Sequence, residues 1–198
     1  MAQPAANISV LTYKDYLNWP ENEHWELIEG VPWNISPAPS TTHQRMAREL
    51  AVSMYNALKK SSCELFIAPF DVRLPDRTAA DHVDDDLILT VVQPDLIIVC
   101  DANKLDAKGC LGPPDVAVEI LSPSTAYRDE TDKLRLYEAH GVREYWIVNP
   151  DGRYIMVYSL DGKEYGKPEY FRSNETLFSS AVDGLIIDLS ELFSCTLR

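Results

Sequence analysis

The chain has no apolar run approaching the roughly 20 residues that a membrane-spanning helix needs, so no membrane partner is expected. Its opening residues, M-A-Q-P-A-A-N-I-S-V, have neither a basic flank nor an apolar stretch, which predicts a cytoplasmic protein without a secretory signal. Cysteine is sparse. Cys63, Cys100, Cys110 and Cys195 stand far apart with no C-x-x-C pair, a pattern that argues against a zinc framework and reads as four reduced thiols. Basic charge is short as well, with 18 Lys and Arg against 31 Asp and Glu and a net charge of -13. That balance disfavours non-specific attraction to phosphate backbones, although the local field at a site decides binding. Internal repeats and low-complexity tracts are lacking. The 198 residues, 45% hydrophobic and 25% charged, suit one folded domain over 1–198 with a substantial core.

What is present has a readable order. Thr12 is an N-cap signal for a short helix from Tyr13 to about Trp19, stopped by Pro20. The segments 24–29 and 31–35 flank Gly30 as a hairpin. Met46, Leu50, Met54 and Leu58 recur every four residues and predict an amphipathic helix over 42–60. A strand is expected over 64–74, then an acidic loop over 76–86 whose Asp81–Asp86 block reads as solvated surface. Strands follow at 93–100, 115–121 and 144–150. A helix over 125–140, closed by Gly141, separates the last two. Asp151-Gly152 is a hairpin signal into R-Y-I-M-V-Y-S. Two further strands and a short terminal helix complete an α/β (α+β) pattern, with a mixed central sheet flanked by helices.

Two carboxylates fall inside the apolar strands. Asp95 opens the run Leu96–Val99, and Glu119 interrupts P-P-D-V-A-V-E-I-L-S-P-S. An ionised group in a buried strand costs several kcal/mol unless it is paired or holds a metal. If the two strands are neighbours, the carboxylates approach one point and repel, unless a cation neutralises them. A hard divalent ion answers this economically, because Mg²⁺ takes one or two carboxylates together with waters and substrate phosphate. Lys133, on the helix after Ser122-Pro123-Ser124, could reach back over the strand end to steady a water or developing charge. Structural readings stand beside these. Asp95 could cap a turn, Glu119 could pair with a buried arginine, and Lys133 could form a surface pair with Asp129.

Pro94-Asp95, Glu119-Ile120-Leu121 and Lys133 resemble the PD-(D/E)XK motif of restriction-endonuclease-like nucleases, in a form with a migrated lysine. Leu121 stands where the usual lysine would be. W-E-L-I-E-G at 25–30, P-S-T-T-H at 39–43, V-E-I-L-S-P-S and K-L-R-L-Y-E-A-H-G-V-R-E-Y-W-I-V-N-P are similar to the Uma-two-like restriction endonuclease family, a domain of unknown function, over about 11–192. The resemblance implies that Asp95, Glu119 and the Ile120 carbonyl bind Mg²⁺, with Mn²⁺ as a substitute. It further implies that Glu26 completes the metal site or orients a water, and that Lys133 is the catalytic lysine. His43 matches a recurring polar position near the site, or serves as a hydrogen bonder at a helix start.

The function so implied is a Mg²⁺-dependent DNA endonuclease. Arg45, Arg48, Arg128 and Arg135 are its candidate nucleic-acid contacts, and a homodimer would present two sites to two strands. The displaced lysine and the acidic balance keep a second reading open, a nuclease-fold protein that binds nucleic acid or a protein partner without cleaving. A third is hydrolysis of a smaller phosphoester.

Overall fold

The computed structural model describes residues 10–20, 24–35, 38–75, 83–123 and 125–194. Most of the chain start, part of the loop at 36–40, most of the acidic loop, Ser124 and Cys195 lie outside the described residues. Helix α1 (Tyr13–Tyr16) is capped by Thr12 and precedes the hairpin β1 (Trp25–Ile28) and β2 (Val31–Asn34). Helix α2 (Thr41–Leu58) leads to β3 (Glu64–Ile67), β4 (Val72–Arg73), β5 (Val91–Val92), β6 (Leu96–Val99), β7 (Leu105–Asp106), β8 (Gly109–Leu111) and β9 (Val116–Ile120). Helix α3 (Ala126–Arg128) runs through a π-helical segment, Asp129–Lys133, into α4 (Leu134–His140). Then come β10 (Glu144–Asn149), β11 (Tyr154–Asp161), β12 (Glu164–Tyr165), β13 (Glu169–Arg172), β14 (Thr176–Phe178), β15 (Ile186–Asp188) and α5 (Leu189–Ser194).

The central sheet has the order β12-β11-β10-β9-β6-β3, with β13 also paired to β11. Strand β9 runs parallel to β10 and antiparallel to β6, so the sheet is mixed. A second sheet has the order β2-β1-β5-β4-β8-β7. All five residues of β9 are buried, because both faces of the central sheet are covered. Val116, Val118 and Ile120 face Met46, Leu50 and Met54 of α2 and Phe193 of α5. Ala117 faces the other way, toward Leu136 and Tyr137 of α4 and Val72 and Val92 of the second sheet. The period of two puts Glu119 on the Ala117 face, under α4.

Three expectations change. The strand expected over 64–74 is two strands in different sheets, since β3 pairs with β6 and β4 with β5 and β8. A single apolar stretch does not record that its two halves face different partners. The helix over 125–140 is not uniformly α-helical, as the π-helical segment widens it. The reading of four reduced thiols is also corrected: Cys63 and Cys100 form a disulfide, with Cα atoms 3.9 Å apart. They follow directly on the Glu64↔Val99 pair, so strand register joins residues that the sequence keeps 37 apart. Cys110 is free and buried.

Glu144 shows how this fold tolerates a carboxylate in a central strand. It is fully buried. Its Oε2 accepts from Trp146 Nε1 at 2.9 Å and Ser179 Oγ at 2.8 Å. Its Oε1 accepts from the Ser180 N–H at 2.5 Å, Ser180 Oγ at 2.6 Å and the Ala181 N–H at 3.1 Å. Five neutral donors replace water and tie β10 to the turn between β14 and β15. Replacing Glu144 by Leu leaves those buried donors unmatched, and chemical denaturation should show a loss of about 1–3 kcal/mol or more.

Candidate functional site

The site forms where β6 and β9 end. The register Leu96↔Val118 continues by one step to bring Asp95 beside Glu119. Asp95 Oδ2 accepts from the Ile120 N–H at 2.7 Å and lies 3.1 Å from His43 Nε2. His43 is presented by the first turn of α2, where its N–H donates to Ser40 Oγ at 3.2 Å, so the N-cap fixes the ring's height above the strand ends.

The other side is built by the helix and the hairpin. Lys133 Nζ lies 2.6 Å from Glu119 Oε1, 2.9 Å from Glu26 Oε1 and 4.0 Å from Asp129 Oδ1. Tyr137, one turn further on, donates from its hydroxyl to Glu119 Oε1 at 2.9 Å. Glu26, from β1, is wholly buried and also accepts the Gln93 N–H at 3.0 Å. Its Oε2 sits 3.4 Å from an Arg128 guanidinium nitrogen, and that guanidinium lies over the Trp33 ring. The π-helical segment spans Asp129 to Lys133, an irregularity that recurs at functional positions. It is tied to β10 by the Tyr145 hydroxyl, which donates to the Asp129 carbonyl at 3.0 Å.

Charge in this cluster is unbalanced. Glu26, Asp95, Glu119 and Asp129 are set against Lys133 and Arg128, with His43 a third cation when protonated. Burial pushes the Glu119 carboxyl well above the usual range. Lys133 opposes this, while Asp129, Asp95 and Glu26 reinforce it. Asp129 is raised chiefly by burial, against Lys133 and a Thr125 hydrogen bond. Burial would lower Lys133, but Glu119, Glu26 and Asp129 together raise it, so the ammonium stays charged. His43 is likewise pushed down by burial, yet its hydrogen bond to Asp95 and that group's charge carry it above its ordinary value.

A cavity of about 620 Å³ opens on this cluster. His43, Asp95, Glu119, Asp129 and Lys133 line it, together with Gln93 and Arg128. No group of three His, Cys, Asp or Glu side chains among the described residues closes on one point as a ready cation cage. The donor set nevertheless suits a hard divalent cation, which takes one or two carboxylates, a carbonyl and water. Carboxylates outnumber the permanent cations here. Glu26 Oε2 and Asp129 Oδ1 are buried without a hydrogen-bond donor, and both donors to Glu119 converge on its Oε1.

The structure thus brings Glu26, His43, Asp95, Glu119, Ile120, Lys133 and Arg128 together. Arg128 serves Glu26 there, with its side chain only 14% exposed. Arg45, Arg48 and Arg135 do not line the cavity. Arg48 pairs with the adjacent Glu49, and Arg135 lines a separate groove with Trp33. From the sequence, Asp129 reads only as a surface partner, and neither Tyr137 nor Gln93 stands out. Tyr137 could have been found, since it lies four residues after Lys133 on the same helical face.

The Uma2 family model, described as "Putative restriction endonuclease", matches residues 13–190. Uncharacterized protein slr1290 of Synechocystis sp. is 25% identical over 159 residues, covering 78% of this chain and 77% of that protein. The crystal structure of a "putative nuclease belonging to DUF820" from Anabaena variabilis has the same fold, with a TM-score of 0.73 at 20% identity, over 94% of this chain and 99% of that one.

Two outcomes follow from the charge cluster. Lys133→Met strands Glu119 and Glu26 in the interior, and urea denaturation at neutral pH should show a loss of about 3–5 kcal/mol, part of which the added Glu119→Gln change restores. The second concerns pH. Glu119, Asp129 and His43 all have raised folded pKa values, so their contribution to stability is fully present below their unfolded values and is lost as pH rises through the folded ones. The metal-free protein should therefore lose stability as pH rises above about 4, the ordinary carboxylate value, and Glu119→Gln should flatten that slope in denaturation measured against pH.

Proposed function

The chain belongs to the Uma2 family, and on that premise we propose that it is a divalent-metal-dependent endonuclease hydrolysing phosphodiester bonds of DNA. The observation that carries this reading is the meeting of two neighbouring strand-end carboxylates with a buried lysine in one 620 Å³ cavity. Asp95 and Glu119, with the Ile120 carbonyl, would hold Mg²⁺ or Mn²⁺. Such an ion supplies neutralisation of phosphate charge and a more acidic bound water.

The roles of the chain's own groups follow from their contacts. Lys133 places an ammonium beside Glu119, where it can orient the attacking water and stabilise charge gathering on the phosphate oxygens. Glu26 acts through Lys133 and Arg128 as a positioning residue. His43 holds Asp95 from the α2 side. In the hydrolysis the water oxygen bonds to phosphorus, the P–O3′ bond breaks and the 3′ oxygen takes a proton, leaving a 5′-phosphate. Two such sites in a homodimer would serve the two strands of a duplex.

A second reading, a binder without turnover, is favoured by one feature: Lys133 is already engaged by two carboxylates. Plasmid relaxation separates the two. With Mg²⁺ or Mn²⁺ the wild type should nick supercoiled DNA, EDTA should stop it, and Asp95→Ala should slow it about a hundredfold or more. Equal inertness of wild type and variant with each ion would remove the enzyme reading and leave the binder.

A further inference from the structure

The end of the central sheet that carries Asp95 and Glu119 carries a second concavity, built from arginine and tyrosine. Strand β10 runs parallel to β9 with Val148 opposite Ile120, and the Leu121 N–H donates to the Val148 carbonyl at 2.9 Å. The turn after β10 therefore lies at the same sheet end. Across that turn Asn149 pairs with Tyr154, and Tyr154 with Arg172 of β13. Arg153, Tyr154, Tyr170, Arg172 and Asn174 line a cavity of about 480 Å³ there. At about 4.8 Å per strand, it stands two to three strands from β9, about 10–14 Å along the sheet edge.

The local chemistry favours an anionic, flat-faced ligand. In a chain of net charge -13, neither the Arg153 nor the Arg172 guanidinium is in an ion pair among the described residues. Glu175, close in sequence, accepts the Arg172 backbone N–H at 2.6 Å instead of its side chain. Arg153 Nε is buried without a hydrogen-bond partner. The backbone is also unusual. Arg153 has φ of +56°, a left-handed conformation that a residue of its type seldom adopts, while the preceding Gly152 is not left-handed. Gly152 is needed for space, since a Cβ there would come within 2.5 Å of the Tyr154 ring. The turn thus gives its glycine to the seating of Tyr154 and keeps an arginine at the strained position. Such outliers persist where the surroundings enforce them, often at ligand sites. Tyr154 is fixed further, its hydroxyl accepting from Asn149 Nδ2 at 3.0 Å. Tyr170 lies beside it, ring centroids 5.8 Å apart, and is 58% exposed.

We infer that this cavity binds an unstacked nucleotide of a nucleic-acid strand, with its phosphate against Arg153 and Arg172 and its base against Tyr170. Aromatic platforms beside cationic groups bind single strands because every base has a π-face and every link a phosphate. The separation from Glu119 corresponds to about three to four nucleotides at a stacked rise of about 3.4 Å each, and to fewer where the strand is extended. The cavity thereby becomes a flanking-strand subsite of the nuclease reading, on which it rests.

The test measures binding apart from cleavage. Fluorescence anisotropy of a labelled single-stranded DNA of roughly 12 nucleotides, with EDTA and the full chain, compares wild type with Tyr170→Ala, Tyr170→Phe and Arg172→Ala. Tyr170→Ala and Arg172→Ala should each weaken binding about five- to fiftyfold with Tm unchanged, while Tyr170→Phe keeps the ring and near wild-type affinity. Arg172→Ala should also reduce the slope of log K against log salt by about 0.7, the share of one phosphate. Wild-type affinity and slope in both alanine variants overturn the subsite and leave the nuclease reading standing. A wild type that nicks plasmid but does not bind the oligonucleotide overturns the subsite alone, and one that does neither overturns both.

Discussion

A single ammonium group holds together three elements of the fold, one of them remote in sequence from the other two. Lys133 Nζ contacts Glu26 of the N-terminal hairpin and Glu119 of the central strand while belonging to the helix between β9 and β10. Because all three side chains are nearly sealed from water, no partner can leave without stranding a charge. The second sheet is thereby fixed against the central one at the point where the strand-end carboxylates meet. The geometry of the proposed chemistry and the docking of the hairpin are therefore one constraint.

Leu121 lies on the face shared by Glu119 and Ala117, where it is half-buried against the cluster that includes Leu136 and Tyr137. A lysine at position 121 would give up part of that apolar contact. Supplying it from the helix instead lets Lys133 reach Glu119 from outside the strand, with Tyr137 one turn later closing on the same oxygen. The π-helical segment lies at this junction, and the Tyr145 hydroxyl secures it through the Asp129 carbonyl.

Much of this was legible in the sequence because the signals were periodic. The four-residue spacing of Met46 to Leu58 gave α2 to within two residues, and the apolar runs around Asp95 and Glu119 gave β6 and β9 as strands. Their adjacency was only a condition of the argument, since pairing is decided by long-range packing. The break between β3 and β4 was hidden because both halves are apolar and differ only in which sheet they join. The Cys63–Cys100 bond was hidden for a related reason, as register and not spacing brings the two together. Arg128 reads from the sequence as a candidate nucleic-acid contact, and only the fold reveals Glu26 beneath it.

Glu144 and Glu119 lie in adjacent, parallel strands, and both are buried, yet their environments differ in how far the protein itself compensates them. Glu144 receives five neutral donors spread over both oxygens and has no acid among its hydrogen-bond partners. Its surroundings satisfy it completely and leave nothing for a ligand to contribute. Glu119 has two donors, both on one oxygen, and three further carboxylates act on it. A second cation would relieve that cluster, whereas it would only disturb the first. Burial of a carboxylate in a central strand therefore says little about function by itself. The distinction lies in whether the protein has supplied all of the compensation or has left part of it to something that binds.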